Sequence, residues 1–271
     1  MNNIKNLLTA YKFTPKKKLG QNFLKDEHVL KKIIAAADIN QNDIVLEIGA
    51  GLGTLTHELL NCKFLYAIEL DVKLAEILKK MFTNKNIKII QGDILKIDLP
   101  SLLRGQNAIK AIANLPYYIT TPIILYLLES GICFNSIIIM IQKEVAKRLT
   151  ASPSTKDYGS LTLAVGYYAD VELIANVPAN SFIPRPNVDS AVIKLTLLER
   201  PRVDTSKDAL FKVIHAAFNQ RRKTLVNALA ANLPIEKDRI ISAMESLKLN
   251  KDIRGETLDI FQFAKLAEVL L

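Results

Sequence analysis

Cysteine is nearly absent from this chain of 271 residues: there are two, Cys62 and Cys133, far apart. They form neither a metal-ligand spacing nor a disulfide framework, which points to a reducing compartment. Histidine is scarce too. His28, His57 and His215 make no visible constellation, so no metal site is expected and they read as surface or core fillers. The longest unbroken run of aliphatic and aromatic side chains covers six residues, 123–128. A membrane-spanning helix needs about 20, so no span is expected. The N-terminal stretch carries lysines but no apolar segment of signal-peptide length, and a cytoplasmic location is expected. Glycine and proline, 10 of each, recur without a period, which excludes a fibrous repeat. With 49% hydrophobic and 23% charged residues, the composition excludes disorder for most of the chain.

Positive charge is what the chain has in excess. The net charge is +9, and its distribution is uneven. Residues 1–34 carry +6 and residues 194–225 carry +5, while the stretches 35–193 and 226–271 carry −1 each. Folded onto one face, the two basic segments would make a phosphate-binding surface.

Short β-rich runs alternate with helical stretches. Strands are predicted over 43–48, 64–70, 87–91, 108–113 and 137–141, and helices over 54–60, 72–82, 122–129 and 142–149. This alternation predicts an α/β fold with a parallel sheet covered on both faces. Asp26 is placed to cap a helix running to Ala37. Residues 152–159 read as a loop. Residues 171–177 and 188–198 read as late strands, with antiparallel pairing left open. The character changes at ERPRV (199–203). Beyond it the patterns are all helical, over 208–218, 221–231, 235–247 and 258–271.

The first strand runs into EIGAGLG (47–53). Glycines permit a sharp turn and close approach to a ligand. Thr54 stands where a dinucleotide-binding loop wants its third glycine, so the loop departs from a pyrophosphate cradle. Glu69 ends the second strand, where a carboxylate can accept both hydroxyls of a ribose. Asp93 follows the third strand, where it can accept an adenine amino group. The set suits an adenosine-bearing cofactor without a pyrophosphate, and S-adenosylmethionine fits. The fourth strand ends in Asn114, Leu115, Pro116 and Tyr117. For methylation of an adenine N6, an amide oxygen and a backbone carbonyl that each accept one N6–H favour a tetrahedral nitrogen whose lone pair faces the methyl donor. Asn114 offers the amide oxygen, and Leu115 or Pro116 the carbonyl. Tyr117 offers a flat face to the base, worth about 1–3 kcal/mol by stacking.

KKKLGQNFL (16–24), EIGAGLGTLT (47–56), IELD (68–71), QGDIL (91–95), NLPYYITTP (114–122), IQKEVAKRL (141–149), KDYGSLTL (156–163), FIPRPNVDS (182–190) and FNQRRKTL (218–225) occur in this order. With them the chain resembles the small-subunit rRNA adenine N6-dimethyltransferases, the KsgA/RsmA family. The resemblance implies a Rossmann-like class I methyltransferase domain over residues 1–200 and a small all-helical rRNA-binding domain over 201–271. It implies that four S-adenosylmethionine molecules dimethylate two adjacent adenosines in the hairpin loop near the 3′ end of 16S rRNA, on the immature small ribosomal subunit. A monomer is expected. Gln21, Asn22, Leu24, Gly49, Gly51, Glu69, Asp93, Ile94 and Asn114 would contact the cofactor. Phe182 would cover the target base opposite Tyr117. Lys16, Lys17, Lys18, Arg221, Arg222 and Lys223 would bind rRNA. Tyr118 and Thr120 stand where many relatives have Asn and Ser. Two other readings stay open: an Erm-type methyltransferase acting on large-subunit rRNA, and a non-catalytic assembly or nucleic-acid-binding factor. The LPYYITTP and YGSLTL stretches favour the small-subunit reading over the first, and the intact acids and Asn114–Tyr117 argue against the second.

Overall fold

The computed structural model describes residues 4–271, except that the side chain of Lys17 lies outside the described part. The chain divides into two compact units, one of residues 1–146 with 171–197, the other of 147–170 with 198–271. The boundary expected at 200/201 thus differs from the observed division: the segment 147–170 belongs with the C-terminal helices.

The first unit opens with helix α1 (Ile4–Ala10), the short strand β1 (Phe23–Leu24) and helix α2 (Glu27–Ala37). Strands β2 (Ile44–Ile48), β3 (Phe64–Glu69), β4 (Ile87–Gln91), β5 (Ile109–Asn114) and β6 (Phe134–Gln142) follow. Helices α3 (Thr54–Leu59), α4 (Val72–Met81), α5 (Leu99–Leu102) and α6 (Thr120–Glu129) connect them. Strands β7 (Ala169–Val177), β8 (Phe182–Ile183) and β9 (Ser190–Leu197) complete the unit. The main sheet has the order β4-β3-β2-β5-β6-β9-β7. β2 to β6 pair in parallel, and β9 runs antiparallel to β6. A separate two-stranded ladder joins β1 to β8, with Phe23 opposite Ile183 and Leu24 opposite Phe182.

The sequence explains why the sheet sits in the middle. Every residue of β2 is buried, as a strand with both faces covered requires. Short polar side chains set the helix starts. Asp26 accepts the His28 and Val29 N–H groups at the start of α2, and Asp71 accepts those of Lys73 and Leu74 at the start of α4. At the amino-terminal end of the central strand β5, buried Lys110 donates to Asp43 Oδ2 at 2.9 Å, so its charge is paired.

Helix α7 (Lys143–Leu149) runs across the division at 146/147; the second unit continues with α8 (Ser160–Tyr168), α9 (Lys207–Asn219), α10 (Leu225–Asn232), α11 (Lys237–Ser246) and α12 (Ile260–Leu270), all helical. Tyr158, Leu163 and Tyr167 share one core with Leu210, Leu229 and Phe263. The helix α8 was not expected. SLTLAVGYY contains a glycine and shows no clean apolar stripe, so periodicity does not reveal it. α10 starts later than the 221 expected. Gln220 ends α9, and Lys223 N–H bonds back to the Gln220 carbonyl at 2.9 Å. Arg221, Arg222 and Lys223 therefore lie in a turn rather than on a helix face.

Candidate active site

The carboxyl ends of β2 to β5 open on one cleft, the place where open parallel sheets bind their ligands. Gly49, Gly51, Glu69, Asp93, Ile94 and Asn114, all expected here, line it. The loop after β2 is held by a carboxylate. Gly51 N–H donates to Glu69 Oε2 and Asp71 N–H donates to Oε1, both at 2.8 Å. Gly51 has φ +59°, and a Cβ there would stand 3.2 Å from the Phe23 ring, so only glycine keeps this floor flat. Burial raises the Glu69 carboxyl above the usual carboxylate range, and the two N–H bonds partly offset this. Each of its oxygens keeps a lone pair for a further donor. Asp93 caps the turn Ile94–Lys96 through Oδ1, which accepts Leu95 N–H at 3.1 Å and leaves Oδ2 for a ligand.

At the end of β5, Asn114 Nδ2 donates to the Asn22 carbonyl at 3.1 Å. That bond orients the amide, and among the described residues no donor reaches its Oδ1. The Pro116 carbonyl accepts Ile119 N–H and the Thr120 hydroxyl, each at 3.2 Å. It is taken up by the turn, which leaves the Leu115 carbonyl as the available one of the two. The Tyr117 hydroxyl lies 2.6 Å from Ser190 Oγ, and Ser190 is fully buried at the start of β9. Burial raises the Tyr117 phenol above its ordinary value; the Ser190 bond opposes that and the nearby Asp189 charge adds to it. Ser190 ends the stretch FIPRPNVDS (182–190), and nothing short of the fold brings it to Tyr117.

The N-terminal segment is fastened across the same cleft. Gln21 Nε2 donates to Asp71 Oδ2 at 3.2 Å, and its Oε1 accepts the Lys16 N–H at 2.7 Å. Lys16 Nζ pairs with Asp71 Oδ2 at 2.7 Å. Burial pushes the Asp71 carboxyl up, but bonds from Lys16, the Leu74 N–H and Gln21 outweigh it and hold the group below the usual carboxylate range. Gln21 and Asn22 line the cleft; Leu24 does not. Side chains alternate along a strand, so Phe23 faces Gly51 and the cleft while Leu24 turns into the core. Phe182, opposite Leu24 in the ladder, is buried in the same core at 3% exposure and is not brought to the cleft. Both residues had been expected at the site.

Glu47 was not singled out. It is buried, its Oε2 accepts the Thr56 hydroxyl at 2.7 Å, and its Oε1 has no partner. Burial pushes its carboxyl up to about 8, the Thr56 bond opposing and the Glu69 charge adding. Of the basic residues, Lys18 is exposed and the Lys17 side chain lies outside the described residues. In the second unit Arg221 pairs with Glu256 at 2.9 Å, while Arg222 and Lys223 are exposed. Among the described residues no cluster of His, Cys, Asp and Glu is placed to hold a metal ion, and no helix is long and apolar enough to cross a membrane.

A glycine loop after the first parallel strand, with acids at the next two strand ends, defines a methyltransferase of class I. Solved structures agree on the fold. A dimethyladenosine transferase from Plasmodium falciparum superposes with a TM-score of 0.77 at 30% identity, covering 90% of this chain and 95% of that one. The 23S rRNA methyltransferase ErmE gives 0.70 at 24% identity, covering 92% and 99%. Within that class the chain belongs to the ribosomal RNA adenine dimethylase family, whose model matches residues 12–266. It is 49% identical over 273 residues to the ribosomal RNA small subunit methyltransferase A of Lachnoclostridium phytofermentans, covering 97% of this chain and 94% of the relative.

Proposed function

We propose that this protein transfers methyl groups from S-adenosylmethionine to N6 of two adjacent adenosines in the 3′-terminal hairpin loop of 16S rRNA, two methyls to each. Its substrate is the immature small subunit in the cytoplasm, and it acts as a monomer. Family membership and the small-subunit relative support the substrate. The observation that carries the chemistry is the Asn114 amide, fixed through Nδ2 with Oδ1 open in the cleft.

The cleft fits the cofactor. The flat Gly51 floor admits an adenosine closely, Glu69 keeps lone pairs for a ribose diol, and Asp93 Oδ2 is available to an adenine amino group. Gly49, Gln21, Asn22 and Asn114 complete the holding set. When bound, the sulfonium supplies an electrophilic methyl group. The rest falls to the protein. Asn114 Oδ1 and the Leu115 carbonyl each accept one N6–H, which draws the nitrogen lone pair out of the ring. Tyr117, its ring set by Ser190, gives the base a flat support. Catalysis is chiefly positioning, because the alkylated nitrogen loses its proton without a strong base. After one transfer a single N6–H remains, so one acceptor suffices for the second. Lys16, Lys17, Lys18, Arg221, Arg222 and Lys223 supply phosphate contacts.

The test is transfer of labelled methyl to undermethylated small subunits, with large-subunit rRNA alongside, followed by mapping of the modified bases. Dimethyladenosine at two adjacent small-subunit positions is expected. Label in large-subunit rRNA would move the protein to the Erm type. Binding without any transfer would make it an assembly factor.

A further inference from the structure

Next to Tyr117 stands an aromatic side chain that the mechanism leaves unused. Tyr118 is 58% exposed and lines the mouth of the cleft. Among the described residues of the first unit it is the one aromatic among the large exposed apolar side chains. Its hydroxyl has no hydrogen-bond partner among the described residues, and its ring packs against no other ring. The fold therefore gives no structural reason for an aromatic at this position.

The turn geometry separates the two tyrosines. Tyr117–Ile119 forms one turn of 3-10 helix, in which successive side chains diverge by about 120°. Tyr117 is turned inward, where its hydroxyl meets Ser190. Tyr118 is turned outward. Its ring rests near the chain at Gly20, where φ is +63° and a Cβ would come within 3.6 Å of Tyr118 Cδ1 and 3.2 Å of Pro116 Cβ. One edge of the ring is thus backed by protein while the rest is open to solvent.

We infer that Tyr118 is a second stacking platform, which holds the base of the nucleotide next to the adenosine being methylated. This rests on the rRNA-methylating reading above. A single strand that delivers one base inward to Tyr117 leaves its neighbour at the cleft mouth, where Tyr118 is the available flat apolar surface. Every base has a π face, so the platform accepts whichever of the two adjacent adenines is not in the cleft. It aligns the strand for either register of two neighbouring adenosines.

The test compares wild type with Tyr118→Ala, Tyr118→Phe and Tyr118→Leu in steady-state transfer to undermethylated small subunits. Cofactor affinity, measured alongside, reports folding of the first unit. Tyr118→Ala is expected to raise KM for the subunits at least about fivefold, the low end for a lost stacked base, with a smaller effect on kcat. Tyr118→Phe should restore the wild-type KM and Tyr118→Leu should not, because bulk without a π face does not stack. A KM for Tyr118→Ala within twofold of wild type overturns the inference, as does equal rescue by Leu and Phe. If Tyr118→Ala fails to fold, the Phe and Leu comparison still decides. Wild type that transfers no methyl to small subunits would refute the functional reading itself, and this inference with it.

Discussion

Asn114 has two jobs at its two amide ends. Nδ2 is spent on the Asn22 carbonyl, and that fixes where Oδ1 lies. Asn114→Ala should lower kcat by about 10²–10³, as loss of one oriented polar group in a transition state does. Thermal melting should stay near wild type; near-normal turnover would refute the amide role. Glu47 makes a prediction of a different kind. In the unfolded chain its carboxyl ionises near 4.5, whereas the folded protein keeps it protonated up to about 8. Between those values folding takes up a proton, so this group's contribution to stability falls as pH rises. Glu47→Gln should melt higher than wild type at pH 8, on the order of 5 °C, with the gap closing towards pH 5. A gap independent of pH in calorimetry would show that the carboxyl is ionised in the fold. At this scale the sequence marks Gly51, Glu69, Asp93 and Asn114 because glycines and acids at strand ends have a chemical signature. It does not mark Phe23 over Leu24. A strand of two residues carries no period from which to read which side chain faces the cleft. Glu47 is hidden for a similar reason, since a charge within an apolar strand does not show whether its partner is water, a hydroxyl or nothing.

Among the elements, α4 carries more than its own packing. Its cap, Asp71, also receives Gln21 and Lys16, so one carboxylate starts a helix and fastens the segment that lines one wall of the cleft. Asp71→Ala should cost about 0.5–2 kcal/mol through the lost cap alone. It should also weaken cofactor binding and open residues 12–22 to limited proteolysis. An unchanged cleavage pattern would show that the segment is held by its apolar contacts instead. Pairing with Asp71 does not remove Lys16 from phosphate binding, because its side chain is 56% exposed. The parallel strands were legible, with ends within a few residues of those found, because uninterrupted Ile, Val and Leu runs between turn residues have few other readings. The antiparallel course of β9 was not, since its pattern is the same in either direction. The start of α10 was missed because helix propensity is much alike on both sides of Thr224. Its position depends on where the backbone of Gln220 leaves α9.

For the whole molecule the net charge of +9 is the dominant long-range property. Affinity for small subunits should fall steeply with added salt. Arg222→Glu should weaken it and reduce the slope of log affinity against log salt by about one, while cofactor affinity stays as in wild type. Equal loss of both would indicate misfolding. The two-part organisation was legible from the change to all-helical pattern near residue 200. Its true course was not, because the core that unites 147–170 with 198–271 is a contact between segments distant along the chain. That discontinuity bears on how the protein is made. Tyr158, Leu163 and Tyr167 leave the ribosome early, yet the side chains that bury them, Phe263 included, are translated last. β9, which fits between β6 and β7, is also translated after both of its neighbours. A chain that has grown only to residue 200 therefore lacks the C-terminal side chains that cover Leu163 and Tyr167, and this core closes only once the last helix has been made.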